Sequence, residues 1–290
     1  MSGMAGRAHS SMKSAAGGNR AFILLARTLL IIFSITSLYP FFWMVTSAFK
    51  DNKQIFLTPA GLPATINFSV FPEAWKNAGL GRAFLNSIIS TTVIVAIVVV
   101  TASLAAYALA RMRFRGQRLI LALFVSGQIV SAQIVLVPLF TLFVRLQLLD
   151  NLASLIFSCI AFGIPLSVFL FWTFFIEIPR EVEESTKIDG CPSFLFYLLI
   201  LVPLSGPIFA SVTIFQSLFS WNEYLFALTF LRQANVRTIP IQMQVFFAQY
   251  TTDWAKLFAA LAMTVVPVVA IYLAMQRAFI KGLTAGAVKG

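Results

Sequence analysis

Long apolar runs recur along this chain, and they limit the folds open to it more than any other feature. Six runs have about the length, 20 residues or more, that a helix needs to cross the hydrocarbon core of a bilayer. A helix satisfies its own backbone hydrogen bonds in lipid, so the sequence predicts an all-α membrane protein. The predicted transmembrane helices are Phe22–Ser47, Ile88–Ala110, Leu119–Phe143, Leu152–Ile176, Phe194–Phe219 and Leu257–Phe279.

Composition indicates one polytopic membrane domain over residues 22–281. The chain is 59% hydrophobic and only 11% charged, a balance far from that of soluble domains. Residues 1–21 are rich in Ser, Gly and Ala, and we expect them to form a disordered lead. The first apolar run is too long for the hydrophobic region of a signal peptide, so we interpret it as a retained span. Residues 282–290 are predicted to form a flexible tail.

Basic residues are concentrated beside three of the apolar runs. They occur in the lead, in the short connection after the second span and in the tail. By the positive-inside rule these regions face the cytoplasm, and both termini then lie on that side. The loop 177–193 also faces the cytoplasm, whereas the stretches near 48–82 and 220–256 face outward. Topology thereby explains the formal net charge of +11, which does not indicate a nucleic-acid partner.

Prolines inside five of the runs predict kinked helices, because proline cannot donate the hydrogen bond that a helix needs. Kinks of this kind suit a gated pathway, although neighbouring helices also tolerate them as simple irregularities. The prolines are Pro40, Pro138, Pro165, Pro203 with Pro207, and Pro267.

The loop between the fourth and fifth spans has an unusual composition. Half of the ten acidic residues of the chain fall in Glu177–Asp189, on the side where topology favours basic residues. Pro179 can begin a short helix, the acids suit the positive end of its dipole, and Gly190 can end it. Ser193 is a suitable N-cap for the next span. We predict a surface helix whose acids dock on a basic or polar partner.

The spacing within this loop resembles the signature of ABC importer permeases. The family pattern is Glu-Ala-Ala, three residues, Gly, nine residues, Ile, one residue and Leu-Pro. This chain has Glu184-Ser185-Thr186, then Gly190, Ile200 and Val202-Pro203 at the same intervals. Ser and Thr replace the two Ala, and they keep small side chains where a second protein would approach closely.

Other stretches resemble the maltose-type carbohydrate branch of that family, and in particular its second permease partner. They are Asn86-Ser87, Ala105 to Arg111, Phe114-Arg115-Gly116, Trp221-Asn222-Glu223 and the tail Gly282 to Gly290. The resemblance implies the fold of type I importer permeases, with six transmembrane helices and a cytoplasmic coupling helix between the fourth and fifth. It also implies residence in the bacterial cytoplasmic (inner) membrane.

The resemblance further implies the partners. An external substrate-binding protein delivers a sugar or oligosaccharide, a second and non-identical permease completes the path, and two ATPase subunits bind ATP with magnesium. We expect Glu183 and Glu184 to meet basic groups of an ATPase, and Val182 and Ile188 to make apolar contacts with it. The full set implied to contact the ATPases is Glu181, Val182, Glu183, Glu184, Ser185, Thr186, Ile188, Asp189 and Gly190, with Thr284, Ala285 and Gly286 of the tail.

Two groups of residues are candidates for the transport path or for contact with the binding protein. Aromatic rings and amides are typical of sugar recognition, but polar residues in spans also serve helix packing. Part of the loop 220–256 is expected to approach the external binding protein. The candidates are Gln128, Ser131 and Gln133 in the middle of the third span, and Trp221, Asn222, Glu223 and Tyr224 after the fifth.

The sequence argues against catalysis by this chain. It has no Gly-x-x-x-x-Gly-Lys-[Ser/Thr] motif for a nucleotide, and its one histidine, His9, lies in the lead, so no metal or cofactor site is expected. The alternative function is an ion-coupled secondary transporter of a small polar solute, although no ionisable residue falls at the centre of a predicted span. The saccharide, neutral or acidic like alginate oligosaccharides, and the choice between homodimer and heterodimer stay open.

Overall fold

A computed structural model describes residues 4–188, 190–247 and 252–287. Within these ranges the chain is helical, and its β pairing is limited to one bridge between Phe247 and Thr252. The helices are α1 (Met4–Ser47), α2 (Asn52–Leu57), α3 (Val70–Asn77), α4 (Leu80–Arg111), α5 (Gln117–Gly127), α6 (Ala132–Arg145), α7 (Leu152–Glu177), α8 (Arg180–Ile188), α9 (Ser193–Leu204), α10 (Gly206–Trp221), α11 (Leu225–Phe230), α12 (Ile239–Gln242) and α13 (Trp254–Ala287).

Four of the described helices, α1, α4, α7 and α13, are long and apolar enough to cross a membrane. Two further crossings consist of sharply bent pairs, α5 with α6 and α9 with the segment Gly206–Phe230. If each bent pair is one span, the structure has the six spans that the sequence predicted. The all-α membrane fold is therefore confirmed, with the short helix α8 between the fourth and fifth spans.

The third span is not the single helix that the sequence predicts over Leu119–Phe143. The chain turns by 95° between α5 and α6, and residues 128–131 leave the helix there. Gly127 is a poor helix former, and its missing side chain lets α5 end against the ring of Pro165, where a Cβ would come within 3.3 Å of Cγ. This contact depends on α7, so the third span alone does not encode the break.

The fifth span also differs from the predicted helix Phe194–Phe219. It turns by 79° between α9 and α10, at Ser205. Pro203 and Pro207 flank the turn, and neither can donate a backbone hydrogen bond to the preceding helical turn. The proline pattern predicted a kink here, and the structure confirms it.

The first and last helices extend beyond their predicted bounds. α1 begins at Met4, although the sequence predicts a disordered lead over residues 1–21. α13 continues to Ala287, through most of the predicted flexible tail. A helix propagates more easily than it nucleates, so each apolar span carries the adjoining Ala-containing sequence into its own helix.

α4 takes part in all three buried clusters that hold the bundle together. Its last turns pack with α7 and α9, its middle with α6, α7 and α11, and its first turns with α3, α10 and α13. Hereafter, the α8 end of the bundle is the end where α4 finishes at Arg111, and the far end is the one where α4 begins at Leu80. α4 is the central helix of the subunit.

The stretch 220–256 is not an open loop in its described part. α11 packs into the bundle with Phe226 and Phe230 buried, and α12 buries Ile239 and Ile241. At the same far end, Lys50 is fully buried, and its Nζ donates hydrogen bonds of 3.0 and 3.1 Å to the carbonyls just after α2. The described part of the stretch 220–256 and the segment around Lys50 and α2 are therefore packed on the far end of the bundle and are not loose loops.

Candidate coupling surface and transport path

Helix α8 begins where the sequence predicts. Pro179 directly precedes it, and Glu181 and Glu183 lie in its first turn, where the helix dipole favours acids. The N-cap of the following helix, α9, lies one residue earlier than predicted, because it is Pro192 and not Ser193. Proline fits that position since its fixed backbone angle suits an extended residue before a helix.

The other end of α8 is closed by a glycine turn. Gly190 has φ of +78°, the left-handed conformation that glycine adopts without steric cost. Its N–H donates to the Lys187 carbonyl at 3.0 Å, and the Cys191 N–H donates to the Thr186 carbonyl at 3.0 Å. This pair of bonds is the Schellman arrangement of helix ends. The predicted role of Gly190 as the residue that ends the helix is confirmed.

α8 has one face against the bundle and one face free. Val182 and Thr186 are half-buried, and Glu183 is only 6% exposed. The apolar side chain of Ile188 is 87% exposed at the end of the helix. The exposed residues of α8 in the predicted contact set are Glu181, Glu184, Ser185 and Ile188, and Gly190 follows them.

The structure separates Glu183 from Glu184, which the sequence grouped as a pair that meets a partner. The Glu183 carboxylate accepts a hydrogen bond from Lys187 Nζ at 2.7 Å, one helical turn away. A buried carboxylate requires such a partner, and the hydrogen bond to Glu183, together with the charge of that carboxylate, raises the pKa of Lys187. Glu184 is exposed, as is Glu181, so these two acids lie on the free face of α8.

Arg111, at the end of α4, holds the connection that enters α8. Its Nη2 donates hydrogen bonds of 2.7 Å to the carbonyls of both Phe175 and Ile178. The Phe175 carbonyl has no helical donor four residues ahead, because that residue is Pro179. The guanidinium fills this gap and also suits the negative end of the α7 dipole. The sequence placed Arg111 among the basic residues after the second span and in the stretch that resembles the maltose-type branch, and it predicted no contact for this side chain.

Tyr107 holds the connection that leaves α8. It lies one turn before Arg111 on α4, and its hydroxyl donates to the Ser193 carbonyl at 3.0 Å. A second bond, 2.7 Å long, joins the hydroxyls of Ser103 and Tyr197 beside it. Side chains on one face of α4 therefore hold the chain by hydrogen bonds both before and after α8.

The predicted path residues of the third span lie at the break between α5 and α6. Gln128 follows the last residue of α5, and Ser131 precedes α6 and donates a hydrogen bond to the Gln133 side chain. Gln128 and Gln133 are exposed. Within the described ranges, the carbonyls of residues 128–130 accept no backbone hydrogen bond. Unpaired backbone at membrane depth is tolerated only where protein covers it or water fills a cavity.

Two of the predicted residues after the fifth span have structural roles. Trp221 is only 6% exposed and packs edge-on against Phe84, with ring centroids 6.2 Å apart. Glu223 accepts a 2.7 Å hydrogen bond from the Phe226 N–H and so caps α11. These contacts give both residues a structural role at the far end, and their predicted binding roles stay predictions.

Asn222 and Tyr224 remain accessible. Asn222 lines a cavity of about 330 Å³ between α1, α10 and α13, which Tyr272 also lines. The Tyr224 hydroxyl accepts a hydrogen bond from the Gln244 side chain, and the residue is 42% exposed. Of the four residues predicted after the fifth span, these two have exposed side chains.

Gln216 of α10 was missed from the sequence, where it is one polar residue in an apolar helix. Its side chain is fully buried, and Nε2 donates to the Gly163 carbonyl at 3.0 Å and to the Ser167 hydroxyl at 2.8 Å. Its Oε1 has no hydrogen-bond partner among the described residues. The amide lines a cavity of about 100 Å³ together with Phe162, Gly163, Leu166, Phe215 and Phe219.

The remaining predicted contact residues have no described side chains. Asp189 lies outside the described ranges. Thr284, Ala285 and Gly286 lie on the backbone of the last turns of α13, and their side chains are likewise outside what the structure describes.

The described helices provide up to six membrane spans, a surface helix held by α4 at both of its ends, and a polar helix break, which is the architecture expected of the membrane-spanning subunit of a transporter. The sequence holds no nucleotide-binding motif. No protein-family model matches the sequence. The comparisons with individual proteins are nevertheless clear.

YurM of Bacillus subtilis, a probable ABC transporter permease protein, is 36% identical over 261 residues, covering 90% of this chain and 87% of the relative. MelC of the same organism, a melibiose, raffinose and stachyose import permease, is 36% identical over 257 residues, covering 87% and 91%. A chain in the crystal structure of a bacterial ABC transporter involved in the import of the acidic polysaccharide alginate superposes with a TM-score of 0.76 at 23% identity, covering 90% of this chain and 97% of that one. The chain belongs to the family of ABC transporter permeases.

Proposed function

We propose that this chain is a permease subunit of an ATP-driven importer for a sugar or oligosaccharide in a bacterial inner membrane. The sugars named for MelC support the substrate class. An external binding protein would deliver the substrate at the far end, and a second permease would complete the path. Both termini and α8 would face the cytoplasm, as the distribution of basic residues suggests.

The buried amide of Gln216 carries the proposal for the substrate. An amide oxygen without a partner in an apolar site is costly, and a hydroxyl donor would satisfy it. Three phenylalanine rings, Phe162, Phe215 and Phe219, line the same cavity, and they provide flat apolar surfaces for a sugar ring. No charged side chain is among the described residues that line it, so this site favours neutral hydroxyls over carboxylates.

The helix break lies beside this site. A cavity of about 280 Å³ is lined by Gly127 and Val130 at the break, by Pro165, and by Phe162, which also lines the Gln216 cavity. The carbonyls of residues 128–130, which accept no backbone hydrogen bond from the described part of the chain, and the Gln216 amide thus occupy one face of the subunit. We assign this face, including Gln128, Ser131 and Gln133, to the wall of the path, with the second permease opposite.

The free face of α8 would receive the motion of the motor. The exposed residues of this face are two acids, one small residue and one protruding apolar side chain: Glu181, Glu184, Ser185 and Ile188. Such a surface fits a cleft with basic and apolar walls on an ATPase subunit. ATP and magnesium would bind on two such partner subunits, which supply the hydrolysis, and the tail residues 284–286 would reach the same partners.

Reconstitution with the partner subunits tests this function. The complete importer in proteoliposomes, supplied with its binding protein, should accumulate labelled raffinose or a related neutral oligosaccharide only when ATP is enclosed. Gln216→Ala should raise the KM for transport about tenfold, the effect of one lost hydrogen bond to a buried group. Gln233→Ala, an exposed glutamine at the far end, is the matched control and should behave like the wild type.

Three results would contradict the proposal. Uptake that follows an imposed ion gradient without ATP would favour the ion-coupled alternative. Accumulation of charged alginate oligosaccharides in preference to neutral ones would overturn the assignment of a neutral substrate. An unchanged KM in Gln216→Ala would remove that residue from the path.

A further inference from the structure

α4 differs from the other spans in being a single helix without an internal proline. α1, α7 and α13 are continuous but each contain a proline, and the remaining two spans bend by 95° and 79°. α4 runs from Leu80 to Arg111 without a proline and packs in all three buried clusters. Among the described spans it is therefore the one that best transmits force along its axis.

At its α8 end, α4 binds the backbone on both sides of α8 through two side chains. Arg111 holds the carbonyls of Phe175 and Ile178 before α8, and Tyr107 holds the carbonyl of Ser193 after it. All three acceptors are backbone atoms at fixed positions. A displacement of α8 must therefore stretch these bonds or move α4.

The far end of α4 holds a second backbone segment in the same way. Asn86 Nδ2 donates hydrogen bonds of 3.0 Å to the carbonyls of both Asn235 and Arg237. The Ser87 hydroxyl oxygen accepts from the Ile239 N–H at 2.9 Å. The segment 235–239 is thereby attached to α4, at a distance along the helix of about 36 Å from Arg111 at 1.5 Å per residue.

We propose that Tyr107 and Arg111 are positioning residues that fasten α8 to α4, and that α4 conveys the movement of α8 to the segment 235–239. This inference rests on the proposed function in one respect, that ATPase subunits move α8. It assigns to α4 a route that avoids the irregular parts of the neighbouring spans. α7 contains Pro165 in its interior, and α9 contains a π-helical turn over Tyr197–Leu201 before the break at Ser205.

A spin label at the far end tests the route. The full importer carries Ala234→Cys as the labelling site, because Ala234 is exposed beside the segment, and Cys191→Ser removes the accessible native thiol. Label mobility is compared between the nucleotide-free and the vanadate-trapped complexes. In the parent protein we expect a clear difference between the two states.

Arg111→Gln should abolish this difference and lower transport about tenfold, within the usual range of coupling between sites. Co-purification of the ATPase subunits and basal ATP hydrolysis should persist, because the free face of α8 is untouched. A purely structural role for Arg111 would instead reduce assembly and activity together. Arg113→Gln, at an exposed arginine two residues further on, is the matched control and should keep the difference.

Two milder variants keep the test decisive if Arg111→Gln fails to assemble. Tyr107→Phe removes one hydroxyl and retains the buried ring, and Asn86→Ala removes two of the hydrogen bonds that hold the far-end segment while leaving the α8 end intact. Each should reduce the nucleotide-dependent change in label mobility while ATP hydrolysis continues.

A full mobility change in Arg111→Gln, or in both milder variants, would overturn the inference. If the proposed function is wrong, the results differ in another variant. Ile188→Glu, on the free face of α8, would then leave ATPase binding and uptake unchanged, which would show that α8 does not contact the ATPase subunits.

Discussion

Gly163 of α7 lies directly beneath the Gln216 amide of α10, so closely that a Cβ added to Gly163 would sit 2.7 Å from Gln216 Oε1. The amide is held there by its hydrogen bonds to the Gly163 carbonyl and the Ser167 hydroxyl. Small residues allow helices to approach closely in membranes, where packing replaces the hydrophobic effect as the driving force. The contact therefore fixes both the distance between α7 and α10 and the orientation of Gln216, the residue proposed to bind the substrate.

Gly163→Ala should destabilise the subunit by about 1–3 kcal/mol, as overpacking of a filled interior usually does. The added methyl group must displace the Gln216 amide and break its two hydrogen bonds. In a Gln216→Ala background the same change should cost much less, since the obstructing amide is gone. Thermal unfolding of the two single variants and the double variant measures this coupling. Strictly additive effects would contradict the contact.

Gly190→Val should strongly reduce ATP-driven uptake while the subunit remains in the membrane. Gly190 has φ of +78° and open space around its missing Cβ, so the cost is backbone strain of about 1–2 kcal/mol and not a clash. Gly190→Asn should be milder, because asparagine tolerates the left-handed conformation. Gly206→Ala, at a glycine with equally open surroundings and an ordinary φ, is the control. Uptake equal to that of the wild type in both the Val and the Asn variants would exclude a role for the turn.

Replacing Glu184 should weaken partner binding, whereas replacing Lys187 should lower stability. Glu184→Lys reverses an exposed charge and should weaken ATPase binding about fivefold, since an exposed pair contributes up to about 1 kcal/mol. It should leave thermal stability unchanged. Lys187→Ala strips the buried Glu183 carboxylate of its partner and should lower stability by about 1–3 kcal/mol. Co-purification and thermal unfolding distinguish the two, and the reverse pattern would contradict the two-faced description of α8.

Local sequence signals predicted α8 and α7 well. Pro179, the acids of the first turn and Gly190 act within a few residues of each other, so they specify α8 without reference to the rest of the bundle. The fourth span was predicted as Leu152–Ile176 and is observed as Leu152–Glu177, because an uninterrupted apolar run has few alternatives in lipid.

Contacts between distant parts of the chain were not predictable. Gln216 is 53 residues from Gly163, and Arg111 is 64 residues from Phe175, so neither pairing leaves a local pattern. The break after Gly127 depends on the ring of Pro165 in another span. The acids of α8 illustrate the same limit, since composition could not tell the buried Glu183 from the exposed Glu184.

The helix break offers the last test, because it should be wet if it lines the transport path. Single cysteines at Gln128 and Ser131, in a Cys191→Ser background, should react with a membrane-impermeant maleimide. Leu38→Cys is the control, since Leu38 is an exposed apolar residue on the outer surface of α1 and should face lipid. Thiols react as thiolates, which form in water and not in hydrocarbon, so the break should react at least about tenfold faster than the control. Saturating transported saccharide should slow the reaction at the break only. Equally slow labelling at all three positions would place residues 128–131 against protein or lipid, and the path would then have to follow another face of the subunit.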